Sequence, residues 1–356
     1  MTAFQYNVHY VEPNQVRDDL IRVWCSNLPV NGHGPAKFDW TYQRAVDPSD
    51  GVFVLAAHNS ENDAQIIGTA GLLARQFYTG DRPLRAAILA DIAVDRPHRT
   101  VQPAIRLVHQ VRRTALRDFD FAYSYPNKST GEVFSRCGYR QLGTLTRYAV
   151  ALHRDKCVGQ VIDWPLFSRI ARGGLDARQI GLQAPMTVRA ARDYELEWLE
   201  DVDSRFDRLW QSTRRSYGLI GRRDAAFLRW RFLEHPEKGL RIAALAPRKN
   251  RRSLRAYAVI EQVDDAVCIR DLFGYPDNLG TLLDLLMLGL ARTKTASLSM
   301  GFLGSEAIVE LLQSRGFRAR ERERAIVYDT GASVNSLAPI IDDHRNWHLT
   351  DADQEW

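Results

Sequence analysis

Residues 88–104 read Ile88-Leu-Ala-Asp91-Ile-Ala-Val-Asp-Arg-Pro-His-Arg99-Thr-Val-Gln-Pro-Ala104. An apolar run, Ala86 to Val94, carries one acid, Asp91. A short loop, Asp95 to Arg99, leads into an amphipathic helix predicted from about Thr100 to Asp118. Strand, turn and helix N-terminus in this order make an anion site. The free N–H groups of the first turn and the positive end of the helix dipole point the same way. A ligand bearing a pyrophosphate fits such a place, and an ordinary strand-to-helix crossover has the same pattern.

Upstream of this stretch, residues 4–12 alternate as a strand. Residues 14–27 form a helix with Val16, Leu20, Ile21, Val23 and Trp24 on its apolar face. A Gly- and Pro-rich loop covers 28–37. A short aromatic helix, Phe38-Asp-Trp40-Thr-Tyr42, ends near Asp47-Pro48. Strands at 52–57, 66–77 and 84–94 are joined by hairpin turns. Downstream come a strand at 119–125, a helix from Asn127 to Cys137 stopped by Gly138, and a strand pair over 139–153. Residues 154–185 read as a connector with one short helix near 164–172.

The order then repeats. A strand at 186–191 and a helix at 194–213 precede a second aromatic helix, Phe227-Leu-Arg-Trp230-Arg-Phe232, closed by His235-Pro236. Strands follow at 242–246, 255–263 and 267–273. The helix at 279–292 is apolar nearly all round, which predicts burial on two sides. A strand at 297–302, a helix at 305–315 and a closing segment at 317–329 complete the unit. Three anchors repeat: Trp40-Thr-Tyr42 with Trp230-Arg-Phe232, Asp91-Ile-Ala with Asp271-Leu-Phe, and Ser135-Arg-Cys-Gly-Tyr with Ser314-Arg-Gly-Phe. Asp91 and Gly138 lie 47 positions apart, Asp271 and Gly316 lie 45 apart. Repeats of this size mean two similar domains, 1–153 and 186–330, not a solenoid. The tail, 331–356, is acidic at its end and carries Trp347 and Trp356. It either crosses a domain surface through its tryptophans or hangs loose.

The 356 residues are 45% hydrophobic and 26% charged with a net charge of +5, which suits a globular protein large enough for two cores. The excess charge is spread as arginine and permits an anionic ligand without requiring nucleic acid. Cys25, Cys137, Cys157 and Cys268 show no metal-ligand or redox spacing, so the sequence predicts reduced thiols in the cytoplasm and no metal. No signal core or membrane span is expected: the most apolar stretch, Leu282 to Leu290, is short and holds Asp284.

The element order and the segments Leu89–Ala104 and Asn127-Lys-Ser-Thr-Gly-Glu-Val-Phe-Ser-Arg-Cys-Gly-Tyr139 resemble the GNAT fold of N-acetyltransferases. The first covers that family's fourth strand and pyrophosphate loop, written Arg/Gln-x-x-Gly-x-Gly/Ala. The second resembles its Asn-led helix ending in Gly-Phe. The resemblance implies an α/β (α+β) chain of two tandem GNAT-like domains, each a mixed, mainly antiparallel sheet flanked by helices. The run Arg223–Phe232 is similar to a bacterial double-GNAT group associated with surface polysaccharide or secondary pathways. Arg99 and Ala104 fit the loop; Gln102 replaces its central glycine, and Pro103 removes a donor. Phe134 stands where the family often has a tyrosine acid, and Leu312 does so in the second domain. The segment Tyr275-Pro-Asp-Asn-Leu-Gly280 lacks the loop motif, so the first domain is the better cofactor candidate.

By that resemblance acetyl-CoA or another acyl-CoA is the cofactor. Its phosphates meet Arg99 and the backbone of Thr100, Val101, Gln102, Pro103 and Ala104. Ile92, Ala93 and Val94 offer backbone groups to its pantetheine and thioester, and Asn127 and Phe134 border it. Asn127 is equally a helix N-cap. The acceptor is a small-molecule primary amine, mostly protonated at pH 7 and in need of a nearby base. Asp91 is the catalytic candidate, its alternative a paired structural carboxylate. A tyrosine such as Tyr125 replaces the missing acid, unless water suffices. Trp40, Tyr42 and Asp271 are expected to line the acceptor pocket, against core packing for the aromatics. The basic hairpin Pro247–Arg255 permits a second reading, a Fem-type transferase using aminoacyl-tRNA, or an acyl carrier protein donor. A third is a non-catalytic acyl-CoA-binding or scaffold protein.

Overall fold

The computed structural model describes residues 4–30, 32–43, 50–58, 64–152, 191–236 and 239–354. The first half runs β1 (Gln5–Val11), α1 (Arg17–Asn27), α2 (Gly34–Phe38), a π-turn (Asp39–Gln43), β2 (Gly51–His58), β3 (Gln65–Thr79), β4 (Arg82–Val94), α3 (Val101–Asp118), β5 (Phe121–Ser124), α4 (Lys128–Arg136) and β6 (Arg140–Ala151). The second runs β7 (Tyr194–Leu199), α5 (Ser204–Thr213), β8 (Leu219–Gly221), α6 (Ala225–Leu228), a π-turn (Arg229–Leu233), β9 (Leu240–Pro247), β10 (Ala256–Val263), β11 (Ala266–Gly274), α7 (Pro276–Leu290), β12 (Ser297–Gly304), α8 (Glu306–Ser314) and β13 (Arg318–Thr330). A tail adds α9 (Ala338–Ile341) and β14 (Trp347–Leu349).

Periodicity located most of these elements. Gly138 and Gly316 end α4 and α8 at φ +90° and +84°, the left-handed position just past a helix that glycine fills without a Cβ clash. Two expectations change. The segment 194–199 is a strand: Tyr-Glu-Leu-Glu-Trp-Leu alternates, and it pairs antiparallel with β9. The helix expected over 194–213 starts only at Ser204, where the Asp203 carboxylate accepts from the Arg205 N–H at 2.8 Å. The strand pair expected over 139–153 is one strand, β6, because both of its edges are taken by strands of the second half. It pairs with β13 on one side and β12 on the other. The helix expected near 164–172 and the strand start at 186–190 lie outside the described residues.

Among the described residues one sheet runs β1-β2-β3-β4-β5-β13-β6-β12-β11-β10-β9-β7. The order is symmetric about its middle. The last strand of the second half, β13, pairs with β5 of the first, and β6 of the first half pairs with β12 of the second. Two three-residue strands then close a ring: β8 pairs with β3, and β14 pairs with both β8 and β12. The circuit β3-β4-β5-β13-β6-β12-β14-β8 is a closed barrel. Phe77, Phe121, Tyr123 and Trp347 fill it, with ring centroids 5.3–6.4 Å apart. Outside it, Leu107, Val108 and Val111 of α3 cover one face of the first half, and Leu20, Trp24 and Phe38 cover the other. In the second half α7 buries Leu279, Leu282, Leu283 and Leu286 in the largest apolar cluster, while Leu288 stays exposed. No described helix is long and apolar enough to cross a membrane.

At the centre of the symmetry the two π-turns meet. Trp40 and Trp230 stack with centroids 4.8 Å apart and planes at 4°. Each indole N–H donates to the other residue's carbonyl, at 2.8 and 3.2 Å. Arg231 lies over the Trp40 ring and Arg75 over the Trp230 ring, at 5.4 and 4.8 Å. Trp40 thus belongs to the seam between halves. Trp40→Ala and Trp230→Ala should each cost about 3–5 kcal/mol. The double variant should cost clearly less than the sum, since both remove one contact. Urea denaturation of the four proteins checks this, and additive losses would show that the stack is not shared.

Candidate active site

In the first half β4 and β5 are paired only at Ala86–Ile88 with Phe121–Tyr123, in parallel. Beyond that β5 stops at Ser124 while β4 continues to Val94, so the two strands part. The register of β4 on β3 shifts between Thr69 and Gly71, opposite a bulge in which Asp91 takes φ +53°. Aspartate tolerates this left-handed backbone better than most residues, though at some cost. Thr69 fixes the bulge by donating to the Asp91 carbonyl at 3.1 Å, and Ser124 ties the fork by donating to the Leu89 carbonyl at 2.8 Å. Ile92, Ala93 and Val94 form the arm beyond the bulge.

That arm leads to the start of α3. Thr100 is the N-cap residue but its side chain caps nothing. Its own N–H is taken by the His98 carbonyl, and that of Arg99 by Arg96. Pro103 is buried and has no N–H. Val101 and Gln102, both exposed, therefore hold the helix's unshared donors; Ala104 falls within the hydrogen-bonded turns. Arg99 is exposed and folds back along the loop, donating through Nε to the Val94 carbonyl at 2.9 Å and through a terminal nitrogen to Asn27 Oδ1 at 2.7 Å. Asn127 caps α4: its Oδ1 accepts from the N–H groups of Ser129 and Thr130. Phe134 is buried edge-on against Tyr139.

Asp91 is buried and ion-paired, with Oδ1 2.7 Å from the Lys37 Nζ of α2. The chain itself thus supplies an ammonium to this carboxylate, and Trp24 covers the lysine at 5.6 Å. Tyr42 sits beside them. A Cβ at Gly71 would meet its hydroxyl at 2.9 Å, and Gly71 pairs with Ala90, next to Asp91. The Tyr42 hydroxyl is buried without a hydrogen-bond partner, as is that of Tyr125, just past the end of β5. Burial raises both phenols well above their usual range, helped by Asp91 at Tyr42 and by Tyr123 and Asp353 at Tyr125.

The second half has the same fork, with β11 and β12 paired at Ala266–Ile269 and parting beyond. Here the C-terminal tail fills it. β14 adds to β12 at Leu303 and Gly304. His348 Nε2 approaches the Leu272 carbonyl at 2.9 Å; since a carbonyl only accepts, Nε2 carries the hydrogen. Asp271 has no exposed surface. Its carboxylate takes Tyr257 at 2.7 Å, Thr350 at 2.8 Å and Arg223 at 3.4 Å. Arg223 also holds Asp353 through two nitrogens, and Arg231 donates to the carbonyls of Asp351, Ala352 and Gln354. The position expected to face an acceptor is sealed under the tail. The basic hairpin stays exposed, with Arg248 and Arg251 paired to Glu195 and Arg255 over the Tyr275 ring. Among the described residues no group of three or more His, Cys, Asp or Glu side chains could hold a metal.

Sequence reasoning missed Lys37, placed in a loop, and the tail's role. Three-residue strands carry no periodic signal, and the tail's partners are remote in the chain. Burial, with the nearby Arg223, depresses His348 to about 4, below the usual histidine value of about 6.5. Its Nδ1 has no partner, so protonation would bury an unmet N–H. The folded state then binds fewer protons than the unfolded one. The stability this group contributes is complete above about pH 6.5 and lost as pH falls toward about 4. Urea midpoints at pH 7, 6 and 5 should fall steadily, and more steeply than for His348→Gln; identical profiles would refute the assignment.

No protein-family model and no curated protein matches the sequence. Solved structures do match. A probable N-acyltransferase from Enterococcus faecalis, described as a conserved protein of unknown function, has a TM-score of 0.63 and 10% identity over 92% of this chain and 73% of its own. A GCN5-related N-acetyltransferase from Anabaena variabilis gives 0.61 and 13% over 94% and 74%. A tandem GNAT protein from the clavulanic acid biosynthesis pathway gives 0.52 and 13% over 92% and 98%. Identities this low establish shared architecture alone, and with the repeated element order, the two forks and the exchanged strands, the chain has the tandem GNAT fold.

Proposed function

We propose that the chain is an acyl-CoA-dependent N-acyltransferase, acetyl in the simplest case, acting on the primary amine of a small molecule. The observation that carries this reading is the open fork at Asp91 leading to an uncapped helix start. The solved structures of like fold described as N-acetyltransferases support it. The residues present fit such a cofactor in part. Val101 and Gln102 offer N–H groups and Arg99 a guanidinium, while the arm Ile92–Val94 offers strand-edge backbone groups. Pro103 makes the phosphate site poorer than a glycine loop would be. Acyl-CoA, when bound, supplies an activated thioester.

The chain's own groups then have defined tasks. The arm's N–H groups stabilise negative charge on the reacting carbonyl oxygen. Tyr125 keeps its proton at neutral pH and donates a hydrogen bond toward the departing sulfur; so high a phenol favours such a bond over full transfer. Asp91 and Lys37 hold the α2 side of the fork and set how an amine enters; water takes the ammonium's surplus proton, and the second proton, lost as the C–N bond forms and the C–S bond breaks, passes through water to the departing thiolate.

Isothermal titration of the full chain with acetyl-CoA, longer acyl-CoAs and free CoA tests the donor. Saturable binding is expected, weakened about ten-fold or more by Arg99→Glu. Absence of binding to every acyl-CoA removes the reading, and turnover only with an acyl carrier protein or aminoacyl-tRNA replaces the donor. Asp91→Asn should leave acetyl-CoA affinity within about three-fold and lower kcat/KM for the amine by about ten-fold or more, because the positioning pair with Lys37 is lost. Unchanged kcat/KM would assign Asp91 to structure alone.

A further inference from the structure

A pocket opens at the seam between the halves, beside one mouth of the barrel. Asp50, Arg75, Gln76, Arg222, Phe227 and Trp230 are among its walls. Its charges are mostly matched. Arg222 pairs with Asp224, Asp353 with Arg223, and Asp50 accepts from the Ala74 N–H. Arg75 is the exception. Its hydrogen bond goes to the neighbouring Ala74 carbonyl at 2.8 Å, its Nε is buried without a partner, and among the described residues no carboxylate lies within ion-pair distance. Arg75 therefore brings to the pocket wall a positive charge that no described carboxylate neutralises. The surplus charge is also felt nearby: Arg231 is pushed down to about 10, first by burial and then by Arg75.

The pocket and the fork share strand β3. Arg75 and Gly71 lie on β3 with no register break between them, so both face the same side of the strand. The Tyr42 hydroxyl rests on Gly71, close to Asp91. Four residues of strand span about 14 Å, and the Arg75 and Tyr42 side chains shorten that gap. One unneutralised guanidinium suits a monoanion better than a dianion, since Asp50 and Asp353 stand in the same walls.

We propose that this seam pocket binds the carboxylate of the acceptor through Arg75, so that the acylated amine belongs to an amino-acid-like molecule whose amine and carboxylate lie several atoms apart. This rests on the acyltransferase reading for the amine's fate but not for the binding itself. Arg75 is the specificity-determining residue, and Phe227 and Trp230 flank the chain between the two ends.

Binding is tested without any acyl donor, by saturation-transfer NMR and thermal shift on the full chain. The probes are L-lysine with cadaverine, L-ornithine with putrescine, and 6-aminohexanoate with hexylamine, each pair differing by the carboxylate. O-phosphoethanolamine is the dianionic comparison. The carboxylated member of at least one pair should bind at least about ten-fold tighter. Arg75→Gln should abolish that difference, and Arg75→Lys should keep part of it. Equal affinity within every pair, no binding at all, preference for O-phosphoethanolamine, or a difference that survives Arg75→Gln would each overturn the proposal. Because no CoA is present, loss of the acyl-CoA reading alone leaves this result intact. Arg75→Lys, which retains a cation over Trp230, separates lost charge from a disturbed seam.

Discussion

Each half of this protein ends in a strand that is hydrogen-bonded into the other half. β13 needs β5, β6 needs β12, and β6 and β13 also pair with each other at the midline. Neither half can satisfy its backbone without its neighbour, because an unpaired strand edge leaves a row of N–H and C=O groups unmet. This reciprocity fixes the rest. It sets the two π-turns face to face, so that Trp40 and Trp230 stack. It brings β3 close enough to β8 for two very short strands to close the barrel. It also builds the seam pocket from residues of both halves.

The duplicated forks show how one ancestral arrangement serves two ends. Each carries an aspartate at the end of its paired stretch, and each aspartate is met by a cation from the segment before the π-turn, Lys37 for Asp91 and Arg223 for Asp271. In the first half the tail meets the barrel side of β5, where Tyr123 donates to the Asp353 carbonyl at 3.0 Å. In the second, Trp347 to Gln354 occupy the fork, with His348, Thr350, Asp351 and Asp353 making the polar contacts. The segment that follows the filled fork, Tyr275-Pro-Asp-Asn-Leu-Gly280, carries no Arg/Gln-x-x-Gly-x-Gly/Ala pattern.

Much of the architecture was legible in the sequence because it rests on local signals. Helical and strand periods, the glycines after α4 and α8, and the paired anchors around Asp91 and Asp271 located the repeats. The strand at 194–199 was misread because Tyr194-Glu-Leu-Glu-Trp-Leu is short and ends at polar residues typical of a helix start. The strand exchange left no local trace, since β6 alternates the same way whichever strand lies beside it. At the site, the backbone arm and Asp91 could be placed from their own stretch. Lys37, Arg75 and the tail could not, because their meaning comes from neighbours brought in by the fold. Trp40 and Tyr42 were visible as aromatic, but whether they wall a cavity or join two halves depends on Trp230, 190 positions away.

The pairing of β5 with β13 joins residue 121 to residue 330. Contacts so far apart along the polypeptide are slow to form, since a long loop must close before they add any stability. During synthesis the first half emerges with β5 and β6 lacking their final neighbours, and those bare edges invite pairing with other nascent chains. Recovery of native protein is therefore expected to depend on concentration and on chaperones that shield such edges, and each half expressed alone is a poor candidate for crystallisation.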